Sequence, residues 1–274
     1  MATAADRAPD VLDPQPDESA LTRARRYLGH GPSAVPAFRV WLLTLTLAVL
    51  AVAIFATSVR HLEIARPPID IPWIVIAALF CVGEVLDVQV HYRRETHAFS
   101  LSEFPTVIGL FFLDPTSYLV ALLVGSGVAL ALQSREHPLK LAFNLADAAL
   151  NGTIALAIFH ALGSLSGEPG PSSWFAAFAA TLTTSVVAAV AIAGAISLSG
   201  GAPQFQKLPE MLQFGGLVAL ANTSLALLAV SILWIHSEAI WLLVVPVATL
   251  FVAYRAYVSE REKHERLELL YESS

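Results

Sequence analysis

The chain has 274 residues, of which 56% are hydrophobic and 14% charged, and its mean hydropathy is +0.65. A soluble domain carries about 25% charged residues, so these numbers exclude an ordinary water-soluble fold and point to apolar segments in lipid. The net charge of -6, with ten of the 22 acids in the two tails, marks no nucleic-acid partner. One cysteine, Cys81, excludes a disulfide within the chain and a cysteine-based metal site; a buried structural thiol is expected.

Residues 1–37 are rich in Ala, Asp, Pro and Arg, with no apolar core near Met1. They read as a disordered cytoplasmic tail rather than a signal peptide. Residues 38–257 read as a membrane bundle. The first span, Val40–Val59, has no ionisable residue and is expected to face lipid. The second opens at the cap and first-turn proline of Asp70-Ile71-Pro72 and runs to Val90.

An inner loop, His91–His97, leads to Ser100-Leu101-Ser102-Glu103-Phe104-Pro105. Ser100 with Glu103 fits a capping box, and Ser102 as cap would place Pro105 in the first turn. Asp114-Pro115 ends this helix and restarts the next. Residues 103–113 then cover only about 16 Å at 1.5 Å per residue. That is about half a bilayer, so this third helix is short, re-entrant or buried among its neighbours. Further helices are expected at Thr116–Leu132, Pro138–Leu162, Trp174–Ser199 and Met211–Ile235. The sixth is rich in Ala, Ser and Thr, which suits close helix contact. The eighth starts at Ala239, after a short outer turn, and reaches Tyr257.

Eight spans put fourteen of the sixteen Lys and Arg residues on one side, leaving Arg60 and Arg66 outside. Positive residues in short loops stay cytoplasmic, so both termini are expected inside. The fold class is therefore all-α, a polytopic integral membrane helical bundle of about eight helices. No Gly or Pro interrupts residues 254–271, so the last helix should leave the membrane unbroken. Residues 258–274 read as a cytoplasmic signalling helix, with residues 255–274 contacting an output domain or partner. A homodimer is compatible with this arrangement.

Ionisable groups at membrane depth are costly and are functional candidates. Glu84, Asp87 and His91 recur at i, i+3 and i+7, as do Asn144, Asp147 and Asn151. On continuous helices each triple shares one face. From the inner boundary, Asp87 and Glu84 lie roughly 6 and 10 Å deep, and Asn144, Asp147 and Asn151 roughly 7, 12 and 18 Å deep. The two faces are expected to meet, as a structural polar knot or as a ligand, proton or ion site. Arg93, Arg94 or Lys140 could reach inward to pair with the acids.

His160, near the outer end of its helix, reads as structural. Asn222, Thr223 and Ser224, with Thr181, Thr183, Thr184 and Ser185, either line a cavity or bond back along their own helices. Trp73, Trp174, Trp234 and Trp241 form an expected outer aromatic belt. No metal, cofactor or catalytic motif is present, so the chain does not read as an enzyme.

The segment His91–Pro105 (HYRRETHAFSLSEFP), the break at Asp114-Pro115 and Leu139–Asn151 (LKLAFNLADAALN) resemble the MASE-type sensor regions of bacterial signalling proteins. The segment His264–Tyr271 is similar to the linkers that join such regions to GAF or GGDEF domains. The resemblance covers about residues 40–271. It implies a sensor in the bacterial inner membrane acting on cyclic-di-GMP or kinase outputs. No GGDEF, EAL, HD-GYP or kinase motif occurs, so the expected role is to sense and transmit, within a longer protein or through a partner. A small-solute transporter or substrate-binding membrane subunit is the competing expectation.

Overall fold

The structure is a computed structural model and describes residues 34–62, 67–85, 88–92, 95–99, 101–133, 138–163, 168–200 and 208–242. The expected tail as far as residue 33, the signalling helix and most of the eighth span lie outside the described residues, and the last four residues assigned to that tail, 34–37, are helical. The first helix, α1 (Ala34–Ile54), runs on into one π-helical turn at Phe55–Val59. Val40, Thr44, Leu47 and Ala51 are its buried residues within that span. Their spacing of four, three and four draws one seam along the helix. Leu42, Leu45, Val49 and Val52 are exposed between them, as lipid contact requires.

The second helix, α2, is Trp73–Val85, thirteen residues long. It buries Ile76, Ala77, Phe80 and Gly83. Its end corrects the expectation of a helix reaching Val90. The chain instead forms an antiparallel hairpin, β1 (Val88–Tyr92) with β2 (Glu95–Phe99), in register from Val88↔Phe99 to Tyr92↔Glu95. Val88, Val90, Tyr92, Thr96 and Phe99 are β-branched or aromatic, and such residues favour strands. A connection of two residues suits a tight hairpin. The fold is thus helical throughout its long elements, with this one hairpin among the described residues.

Then come α3 (Glu103–Phe112), α4 (Pro115–Gln133), α5 (Pro138–Leu162), α6 (Pro171–Leu198) and α7 (Leu208–Ile235), with a 3-10 turn at Ser237–Ile240. Asp114 caps α4: its Oδ1 accepts the N–H groups of Thr116 and Ser117, both at 3.0 Å. Among the described residues, five helices are long and apolar enough to cross a membrane, and α2 and α3 are shorter apolar helices. The chain is a multi-pass membrane protein by that measure. The expected eighth helix is described only as far as Leu242.

The short helix α3 lies at the centre. Seven of its ten residues are buried, and α2, α4, α5, α6 and α7 all pack against it. This answers the problem a half-length helix poses in lipid, where its terminal N–H and C=O groups would find no water. The core around it holds Phe80, Leu110, Phe111, Tyr118, Leu156 and Phe159. Phe111 meets Phe159 edge-on at 4.8 Å between ring centres. Phe80 meets Tyr118 at 6.2 Å in the same manner, and such geometries suit the ring quadrupoles.

The helices α2 and α4 approach closely at Gly125. A Cβ on Gly125 would strike the Ala77 carbonyl oxygen and lie 2.7 Å from Phe80 Cβ. Small residues do the same work on α6, where Ala176, Ala177, Ala180 and Ala193 are fully buried. Trp73, Trp174 and Trp241 are exposed at their helix ends. Trp234, in the last turn of α7, is half-buried, and its ring is tilted at 55° to that of Phe112 with ring centres 5.7 Å apart.

Candidate functional site

A cavity of about 350 Å³ opens inside the bundle. It sits where α2 ends, α3 begins, α4 ends and α5 begins, since Glu84, Glu103, Leu130 and Asn144 all line it. Gly83 lies against Leu101 and Ser102, close enough that a Cβ there would meet the Leu101 backbone at 3.4 Å. That contact draws the two ends of the 86–100 segment together, so the hairpin lies at the same end of the bundle.

The α5 triple holds together as the sequence suggests. Asn144, Asp147 and Asn151 all line the cavity. Asn151 Nδ2 donates to Asp147 Oδ2 at 3.1 Å. Glu84 joins them from the last turn of α2. The other triple does not survive as a unit. Its single face needs a helix through residue 91, whereas His91 lies in β1. Asp87 lies outside the described residues.

Glu103 is the member that sequence reasoning missed. Reading Glu103 as a capping-box partner satisfied it locally and left no reason to look further. In the structure Ser102 occupies the cap position but makes no side-chain cap bond. The Glu103 carboxylate instead accepts from Asn222 Nδ2 of α7 at 3.1 Å. A carboxylate at a helix N-terminus is favoured by the helix dipole, so α3 itself steadies this acid. Its half-length was the usable signal, since the first turn of such a helix must lie inside the protein.

Hydroxyls complete the lining. Thr181, Thr184 and Ser185 of α6 face the cavity and also bond back to carbonyls on their own helix; the two expectations for them are compatible. Thr223 donates to Thr181 Oγ1 at 2.9 Å and ties α7 to α6. Tyr118 bonds the Thr106 hydroxyl. Ser126 of α4, also missed, lines the cavity with only 3% of its surface exposed. Among the described residues, Ser126 Oγ, Asp147 Oδ1 and Asn151 Oδ1 are buried without a hydrogen-bond partner. Buried polar atoms are seldom left so, because each costs about 1–3 kcal/mol.

The cavity therefore presents three carboxylates from three helices, and among the described residues no Lys, Arg or His lines it. Lys140 is exposed. The lining suits an electropositive, donor-rich occupant and repels anions. Among the described residues no group of three His, Cys, Asp or Glu could hold a metal ion. His160 lies elsewhere, its ring Nδ1 donating to the Leu156 carbonyl at 2.9 Å. Cys81 is half-buried, less enclosed than expected. No protein-family model matches the chain, and no curated protein or solved structure matches it either.

Proposed function

We propose that this chain is a membrane-embedded signal-input module of a bacterial inner-membrane signalling system. Both termini lie in the cytoplasm, and eight spans form the bundle. A small ligand or membrane stimulus acts at the acidic cavity, and the helix through residues 255–274 passes the change to a cytoplasmic output domain or partner. The output belongs to cyclic-di-GMP or kinase signalling, as the MASE-type resemblance implies. The single observation that carries this reading is the cavity itself. Three carboxylates line one cavity within an apolar bundle at the end that the positive-inside rule assigns to the cytosol. That is the end at which the exit helix would leave.

The test is a chimera of residues 1–274 with a diguanylate cyclase domain, assayed for cyclic-di-GMP in cells. Asp147→Asn should change the output at least severalfold while membrane insertion and abundance stay constant. Output that stays flat for Asp147→Asn and Glu103→Gln alike refutes the module. One observation favours a transporter or substrate-binding subunit as the second reading. The half-helix α3 presents its N-terminal residue to the cavity, and its chain restarts at Asp114-Pro115, as broken helices do around transported solutes. Solute or proton flux in liposomes, abolished by Asp147→Asn, would decide for it.

A further inference from the structure

We infer that the cavity is a binding site for a small primary ammonium ion carrying an apolar body. This deepens the proposed stimulus site and rests on it. Charge gives the first argument. Glu103 and Asp147 line one space without a Lys, Arg or His among the described lining residues, so a cation is favoured there over an anion.

Hydrogen-bonding capacity gives the second. Asp147 Oδ1 and Asn151 Oδ1 accept only, and both are buried without a donor among the described residues. Ser126, a residue only 3% exposed, lines the same cavity, and its Oγ is equally without a partner among the described residues. An –NH₃⁺ group has three donors and no acceptor, which matches two oxygens and a hydroxyl. A quaternary ammonium has the charge but no N–H to give.

Size and wall chemistry supply the third. A water takes up about 30 Å³ of liquid, so 350 Å³ is far more than a bare inorganic cation fills. Leu122, Phe143, Ala155 and Ile192 line the rest. Those side chains would contribute nothing to a metal ion, and they suit an alkyl or aryl body.

The full chain in nanodiscs, measured by equilibrium dialysis against radiolabelled benzylammonium with empty discs subtracted, tests this. Three matched probes separate the arguments: benzyltrimethylammonium keeps the charge and loses the donors, benzyl alcohol loses the charge, and sodium lacks the body. Benzylammonium should bind saturably, with the three others at least tenfold weaker. Asp147→Asn should weaken it at least tenfold and Ser126→Ala severalfold. Ser126→Ala removes one hydroxyl and decides the matter if Asp147→Asn fails to fold, as judged by its melting midpoint. Absence of saturable binding, unchanged affinity in Ser126→Ala, or benzyltrimethylammonium binding as tightly as the primary amine overturns the inference. Saturable binding that leaves the chimera's output unmoved supports the site and refutes the signalling role. Output that responds to Asp147→Asn without any amine binding refutes the ligand class alone.

Discussion

Replacing Gly125 by alanine puts the packing of this bundle to a direct test. Carbon atoms in ordinary contact lie about 3.5–4.0 Å apart, and the added methyl would sit 2.7 Å from Phe80 Cβ. The Ala77 carbonyl oxygen blocks it from the other side. Neither neighbour is the loose end of a side chain, so α2 and α4 must separate by about 1 Å to restore contact distances. Overpacking of this kind costs about 1–3 kcal/mol, against about 1 kcal/mol gained from alanine's helix propensity. Gly127→Ala is the matched control, two residues along α4, where the nearest atom is Leu145 Cδ2 at 3.7 Å. Gly152→Ala falls between, because its obstacles are the flexible ends of Leu122 and Leu119. The propensity gain is common to both variants, so at about 2–4 °C per kcal/mol Gly125→Ala should melt about 2–12 °C below Gly127→Ala. Thermal unfolding of the three purified variants in one detergent reads this off. Equal midpoints for Gly125→Ala and Gly127→Ala would refute the close approach of the two backbones.

Asp114→Ala should cost about 1 kcal/mol by removing the α4 cap, while Asp114→Asn should stay near wild type. Partial burial raises the Asp114 carboxyl, but bonds from the Ser117 hydroxyl and from the Ser117 and Thr116 N–H groups outweigh it and hold it below its ordinary value. A depressed carboxyl stabilises the fold above the unfolded-state range of about 4 and stops doing so as pH falls through the folded-state value. Acid melting curves should therefore lose a step in Asp114→Asn that wild type keeps. A double-mutant cycle on Thr181→Val and Thr223→Val should return a coupling of about 0.6 kcal/mol, and no more than about 1.7 kcal/mol, as for other hydrogen bonds between membrane helices. Zero coupling would remove the bond that ties α6 to α7.

Local chemistry explains which features the sequence made legible. The Asp114-Pro115 break needed only a cap and a first-turn proline, and α5 spans Pro138–Leu162 because a basic turn and an apolar run bound it. The α5 polar triple was readable for the same reason, since helical spacing alone aligns Asn144, Asp147 and Asn151. The hairpin was not, because the apolar run through Val88 and Val90 continues α2 without a breaker. There the strand preference of β-branched and aromatic residues won over continuity. Glu103 and Ser126 depend on contacts between helices far apart in sequence: Glu103 meets Asn222, 119 residues away. Ser126 between Gly125 and Gly127 looks like mere small-residue packing until α5 and α6 are placed around it.

The enclosure of α3 also bears on how the chain is made. Ten residues that touch five other helices have no stable berth in lipid until those helices exist, because their end groups need partners. Four of the five are translated after it. Its packing is complete only once α7 is in place, since α7 brings Asn222 to Glu103. Chains halted before residue 222 should therefore leave residues 103–112 open to a water-borne thiol probe on an introduced cysteine, and completed chains should protect them.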